Sequence, residues 1–286
     1  MTASLSTIGG STALLGIFGD PVAHSLSPAM QNAALAAAGI DAVYLPLPVA
    51  AADLPAAVDA LRVFAVVGVN VTIPHKEAVL GLLDVIDPAA QLIGAVNTIV
   101  NRCGLLTGYN TDAPGFLHSL LTDLGFDPRG KRIVLLGAGG ACRAAVVALA
   151  TAGAAEICIA NRSLPRAEAL VSDLSPHCTK TRLLPLLLIT ESLAEVLSRA
   201  DLLVNTTAVG LKGESFPSGL LTSLAAAASV YDMVYALEPT PLLAAAAGQG
   251  RRVADGRGML IAQGEAAFFH WFDRQPPAGV MRAHIM

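Results

Sequence analysis

From Leu14 onward, short apolar runs alternate with alanine-rich segments whose apolar residues recur at helical spacing. LLGIFG predicts a strand. SPAMQNAALAAAG predicts a helix capped by Ser27, with Pro28 at the first position, where its missing N–H is no loss. AVYLPLPV and GVNVTI predict two more strands, separated by a helix over ADLPAAVDALRVF. A further helix is predicted from about Lys76, then AVNTIV and a hairpin-like segment from Gly104 to Thr107. After a helix and polar turn near 114–129 the pattern restarts with IVLLGAGGACRAAVVALATAG, a strand, a glycine turn and a helix. EICIANRS, ADLLVNTT and ASVYDMVY read as its later strands, and one long helix is predicted after Val253, through Trp271 and Phe272. Strand–helix alternation predicts an α/β fold with mostly parallel sheet, the second series having the form of a nucleotide-binding βαβ unit.

Composition narrows the class. The chain has 286 residues, 54% hydrophobic and 14% charged, which implies a large core and excludes disorder. Glycine, proline or charge interrupts every apolar stretch before the roughly 18–20 residues of a bilayer helix, so no membrane span is expected. A net charge of −4 gives no basic footprint for nucleic acid. The N-terminus lacks a basic leader region, and its first dozen residues read as a flexible tail. Cys103, Cys142, Cys158 and Cys178 are scattered, as reduced thiols in a cytoplasm would be. The six histidines are equally dispersed, and no metal site is expected.

The glycine turn carries the clearest chemistry. Gly137, Ala138, Gly139 and Gly140 sit where a buried strand meets a helix, so the backbone can approach a pyrophosphate that the helix N-terminus favours. Cys142 stands at the third fingerprint position, where glycine is usual. NAD-binding units present a carboxylate at the end of the next strand; here Asn161, Arg162 and Ser163 occupy that place, with Arg166 nearby. Guanidinium forks and a hydroxyl suit a 2′-phosphate, which favours NADP over NAD.

Lys76 follows a strand's C-terminal end, where ligands bind in α/β sheets, and a cation is a poor choice for a helix start. Ser25 and Ser27 follow the first strand, the segment AVNT gives Asn97, and GYNTD gives Asn110 and Asp112. Taken singly, Ser27 and Asp112 read as helix caps and Asn97 as a turn former. Taken together they would line a cleft suited to a polyhydroxylated acid. His24 and His75 read as structural.

The blocks HSLSP, NVTIPHK, AVNT, GYNTD, GAGG, NRS, NTT, YDMVY with TPLL, and GMLIAQ occur together and in order, from Gly16 to about Trp271. In this set the chain resembles the shikimate dehydrogenase family. The resemblance implies a substrate-binding, catalytic domain over residues 1–112, an NADP-binding Rossmann domain over 113–249, a cleft between them, and residues 250–286 packing back on the first domain. It implies Lys76 and Asp112 as the catalytic pair and Ser25, Ser27, Thr72, Asn97, Tyr235 and Gln263 as substrate contacts. Cofactor contacts would be residues 137–140, Asn161, Arg162, Ser163 and Arg166, with Thr206 and Met233 on the nicotinamide side. The implied reaction is the NADP-dependent interconversion of 3-dehydroshikimate and shikimate by a cytoplasmic monomer or homodimer. Leu237 and Glu238 replace an Asn-Pro pair, and Arg257 is unusual. These departures leave quinate or an aminated analogue as alternative substrates, and a non-catalytic sensor as the alternative class.

Overall fold

The structure is a computed structural model that describes residues 8–217, 219–236 and 238–285. Residues 1–7 of the expected tail, and Leu237, lie outside the described residues. Ser11 and Thr12, also assigned to the tail, donate hydrogen bonds to Asp41 at 2.9 and 2.7 Å.

The first unit begins with β1 (Ala13–Gly19), α1 (Ser27–Ala38), β2 (Ala42–Pro48), α2 (Leu54–Val63) and β3 (Gly68–Val71). It continues through β4 (Val85–Ile86), α3 (Pro88–Ile93), β5 (Thr98–Arg102) and β6 (Leu105–Tyr109), and α4 (Asp112–Thr122) starts in it and runs on into the second. The second series comprises β7 (Arg132–Leu136), α5 (Gly140–Thr151), β8 (Glu156–Asn161), α6 (Leu164–Leu174), β9 (Arg182–Leu187) and α7 (Thr190–Ser198). It closes with β10 (Leu202–Asn205), α8 (Gly219–Ser223), β11 (Ser229–Asp232), α9 (Pro241–Gly248) and β12 (Val253–Asp255), before α10 (Arg257–Phe272) and α11 (Val280–Ala283). Two compact units result: residues 1–115 with 261–286, and residues 116–260.

The first unit holds a six-stranded sheet of order β2-β1-β3-β5-β6-β4. It is mixed: β1–β2, β1–β3 and β4–β6 pair parallel, while β3–β5 and β5–β6 pair antiparallel. The reversal is local. Cys103 and Gly104 both take positive φ, 54° and 91°, the backbone of the two-residue hairpin turn that matches strand twist. On one face, Leu15, Ile17 and Tyr44 pack with Met30 and Ala34 of α1 and with Phe268 and Trp271 of α10. On the other, Phe18, Val69 and Val71 pack with Leu54, Val58 and Leu61 of α2. Burial on both faces explains why β1 is almost continuously apolar.

The second unit is a six-stranded sheet of order β12-β11-β10-β7-β8-β9, parallel at every pairing. The chain starts at β7, runs outward to β9, and returns to β10 on the other side of β7. That places the topological switch point, where doubly wound sheets bind ligands, between β7 and β10. The edge strands β9 and β12 escaped the hydrophobic pattern. β9 contains Pro185, which is tolerated because an edge strand has one side without ladder partners. β12 has only three residues.

Candidate active site

Lys76 is delivered to its place by backbone bonds on either side. β3 ends at Val71, but Thr72 N still donates to Phe18 O of β1 at 2.8 Å, and His75 N donates to Thr72 O at 2.9 Å. The His75 ring is buried and anchors the turn through a 2.7 Å contact with Val49 O, in keeping with its structural reading. Lys76 O accepts from Val96 N at 2.8 Å. No α-helix opens at Lys76: the chain passes through turns into a five-residue 3₁₀ segment, Ala78–Leu82. The mismatch inferred from a cation at a helix start therefore does not arise. Ile73, the last residue of the expected strand GVNVTI, is 73% exposed, because the strand has already ended at Val71.

The Lys76 ammonium meets Asp112 Oδ2 at 2.6 Å, with the lysine side chain 30% and the aspartate side chain 14% exposed. The other carboxylate oxygen, Oδ1, accepts from Asn97 Nδ2 at 2.9 Å. Asn97 is no turn former. It is buried, and its Oδ1 accepts from Thr111 N at 2.7 Å, so both ends of its amide brace the segment that carries Asp112. Nor is Asp112 the cap of α4. Asn110 Oδ1 takes that role, accepting from Asp112 N at 3.1 Å and Ala113 N at 3.2 Å, and Asp112 is the first helical residue. A carboxylate there is favoured by the helix dipole.

At the end of β1, Ser25 Oγ accepts from Ser27 N at 3.2 Å. Ser27 lies inside α1 and makes no capping bond, contrary to its reading as a cap. It is buried, with its hydroxyl set against the Tyr44 phenol. Tyr44 OH donates to Asn70 Oδ1 at 2.7 Å, and Asn70 Nδ2 donates to Asn97 O and Thr98 Oγ1, both at 3.1 Å. Sequence reasoning missed Tyr44, Asn70, Thr98 and Thr111. The available signal was an asparagine inside a strand buried on both faces, where an amide must find partners. Gln263 is buried on α10 within the same unit, and the neighbouring Gly264 O accepts from Gln31 Nε2 at 3.0 Å.

In the second unit, Gly137 turns the chain out of β7 at φ +108°. A Cβ there would stand 2.7 Å from Thr207 Cγ2 and 2.9 Å from Thr206 Oγ1, so only glycine fits. Thr206 donates to Leu136 O through both its N–H and its hydroxyl, at 3.0 and 2.7 Å. Ala138 and Gly140 are partly exposed and Gly139 faces open space; α5 opens there with no side-chain cap, its first N–H groups available to an anion. Cys142 is fully buried beneath the turn, and burial pushes its thiol up to about 12. At the end of β8, Asn161 Nδ2 donates to Ser163 O at 3.0 Å. Arg162 and Arg166 are exposed, and no ion pair at either is found among the described residues. This donor set, with no carboxylate at the strand end, fits a phosphorylated dinucleotide.

Met233 N donates to Asn205 O at 3.0 Å, and Gly256 comes so close to the Met233 carbonyl that a Cβ would stand 2.1 Å from it. Tyr235 belongs to this unit rather than to the one holding the other expected substrate contacts, and burial raises its phenol pKa. Arg257 Nε pairs with Asp255 Oδ2 at 2.7 Å, and Glu238 is exposed. Among the described residues no group of His, Cys, Asp or Glu is placed to hold a metal ion.

Family models match the chain in three blocks: the shikimate dehydrogenase substrate binding domain over residues 17–99, shikimate / quinate 5-dehydrogenase over 121–211, and the shikimate 5′-dehydrogenase C-terminal domain over 256–286. A relative from Geobacter metallireducens, named shikimate dehydrogenase (NADP(+)), is 52% identical over 279 residues, covering 98% of each chain. The chain belongs to the shikimate dehydrogenase family. Solved members of the family agree in fold. Shikimate 5-dehydrogenase from Listeria monocytogenes, in complex with shikimate and NAD, superposes with a TM-score of 0.90 at 36% identity over 98% of both chains. The Thermus thermophilus enzyme, in complex with NADP(H) and shikimate, gives 0.84 at 38% identity over 95% of this chain and 98% of the other. The shared fold is α/β, with a mixed substrate-domain sheet, an all-parallel Rossmann sheet, and a C-terminal segment that returns to the first unit.

Proposed function

We propose that the chain is an NADP-dependent shikimate dehydrogenase, an oxidoreductase interconverting 3-dehydroshikimate and shikimate. The observation that carries this reading is the Lys76–Asp112 pair, 2.6 Å apart and braced by Asn97, in a chain 52% identical to a relative named for that activity. The bound nicotinamide supplies or takes up the hydride.

Reduction of the ring ketone develops negative charge on oxygen. The Lys76 ammonium neutralises it by giving a proton, leaving the alcohol and a neutral amine. Oxidation reverses this: the neutral amine of Lys76 takes the hydroxyl proton as the carbon loses hydride. Asp112 spends one carboxylate oxygen on Lys76 and the other on Asn97, which aims the ammonium and leaves its other N–H groups free for the substrate oxygen. Ser25, Ser27, Thr72, Tyr235 and Gln263 are the residues read as orienting the substrate. The glycine turn, Arg162, Ser163 and Arg166 hold the cofactor phosphates, with Asn161 shaping that segment, and Thr206 and Met233 line the nicotinamide side. The enzyme is cytoplasmic in this reading, where its free thiols stay reduced, and acts as a monomer or homodimer.

Quinate is the second reading, favoured by the family model for residues 121–211, which spans shikimate and quinate enzymes. Initial rates with shikimate and with quinate, each against NADP⁺ and NAD⁺, separate the two. Shikimate with NADP⁺ is expected to be the fastest pair. Faster quinate turnover would reassign the substrate, and faster NAD⁺ turnover would overturn the role given to Arg162 and Arg166.

A further inference from the structure

Asp232, the last residue of β11, is 0% exposed, and no ion pair at it is found among the described residues. Neutral donors surround its carboxylate. Oδ1 accepts from Asn205 Nδ2 at 2.8 Å and Val234 N at 3.0 Å, and Oδ2 accepts from Thr240 Oγ1 at 2.7 Å. Asn205, the last residue of the neighbouring strand β10, is equally buried and uses its whole amide. Its Oδ1 accepts from Thr207 N at 2.9 Å and Thr207 Oγ1 at 2.7 Å, while its Nδ2 also donates to Val209 O at 2.9 Å.

A carboxylate and an amide thus tie together three segments: residues 206–210 after β10, residues 233–235 after β11, and the start of α9, which Thr240 caps through Leu243 N. The first segment packs on the glycine turn, through the Thr206 and Thr207 atoms that exclude a Cβ at Gly137. The second carries Met233 and Tyr235. An ionisable group at 0% exposure is a costly way to fill a core position, and an apolar side chain would pack there without that cost. What the carboxylate adds is acceptor capacity: it can take an amide, a peptide N–H and a hydroxyl at once.

We propose that Asp232 and Asn205 are positioning residues, a buried latch that sets the segments after β10 and β11 against the glycine turn and so shapes the nicotinamide side of the cofactor site. This rests on the reading of residues 137–140, Thr206 and Met233 as cofactor contacts.

The test uses the full-length enzyme with Asp232→Ala, Asp232→Asn and Thr240→Val. In Asp232→Ala the KM for NADP⁺ should rise roughly tenfold and clearly more than the KM for shikimate, to which the latched segments contribute Tyr235 alone. Asp232→Asn, which keeps Oδ1 and can donate to Thr240 Oγ1, should restore the wild-type KM. A role in stability alone would lower the melting temperature without this split. Equal loss in the Ala and Asn variants would show that charge rather than position matters, and would overturn the proposal.

Hydrogen exchange supplies a readout independent of turnover. In Asp232→Ala the amides of Thr207, Val209 and Val234 should exchange faster together while β7 and β8 stay protected; acceleration at Val234 alone would refute the latch. Should the Ala variant not fold, Thr240→Val removes one tie, and unchanged KM and exchange in that variant would refute it equally. If the wild-type enzyme itself shows no NADP⁺-dependent turnover, the cofactor reading has failed, and the exchange data alone decide on the latch.

Discussion

Lys76 and Asp112 are set 36 positions apart in sequence, and their 2.6 Å pairing depends on Asn97, which holds the aspartate's second oxygen. Lys76→Ala should lower kcat by about 10²–10⁴-fold, the range for a general acid–base group, with NADP⁺ binding retained; a loss of only a few-fold in steady-state rates would remove Lys76 from the chemistry. The residue types at these positions were legible in the sequence, but their local roles were not. Ser27, Asn97 and Asp112 each have an ordinary use as cap or turn former, and only the three-dimensional partners show that Asn110 does the capping and Asn97 the bracing. Asp232 makes a second residue-scale prediction. Burial, and secondarily the nearby Asp255 charge, raise its pKa above 3.8, against the pull of its hydrogen bonds. Between 3.8 and the raised folded value, the folded chain keeps a proton that the unfolded chain has released. That contribution to stability is full below the unfolded pKa and is lost as pH rises through the folded one. Asparagine cannot titrate, so the melting temperature of Asp232→Asn relative to wild type should climb as pH rises from 3.8 through the raised folded pKa, and level off above it. A constant difference in thermal scans would contradict the shift.

The elements themselves place the site at strand ends. β3 stops at Val71 and yields to turns, so Lys76 rests on a short, pinned connection rather than on a helix. α4 begins where Asn110 satisfies two of its first N–H groups, and this fixes where Asp112 points. Asn110→Ala should cost about 1 kcal/mol of stability, the usual loss for a cap, and should lower kcat as well because Asp112 loses its fixed start. A denaturant titration and steady-state rates on the same preparation check both; lost stability with unchanged kcat would separate the cap from the catalytic geometry. The central strands and long helices were readable because both sheets bury their middle strands in continuous apolar runs. The edges were not. Pro185 disguised β9, and β12 is too short to show a period; the β5–β6 hairpin was expected near 104–107, and its turn forms at Cys103 and Gly104.

Across the whole chain, the last 26 residues of the first unit, 261–286, come after the second unit in sequence and must find the sheet that residues 1–115 build. Trp271 is the anchor of that return. It is 2% exposed, its Nε1 donates to Ile99 O at 3.0 Å, and Arg102 holds the adjoining carbonyls of Trp271 and His270, both at 3.0 Å. The indole can reach Ile99 only because residue 68, at the start of β3, has no side chain: a Cβ there would stand 2.3 Å from both Trp271 Nε1 and Ile99 O. Ile99 O is backbone within the sheet and cannot yield, so a methyl at residue 68 must displace the indole. Gly68→Ala should therefore break the Trp271–Ile99 bond and destabilise the first unit by about 1–3 kcal/mol, the range for overpacking a close-fitted core. Trp271 is the only tryptophan in the chain, so its fluorescence reports on this contact without interference. The variant's emission should shift to the red as the indole loses its buried bond, and its denaturation midpoint should fall. An unchanged spectrum with an unchanged midpoint would mean that the C-terminal segment is held by Phe268 and the Arg102 bonds, and that Trp271 merely fills space beside them.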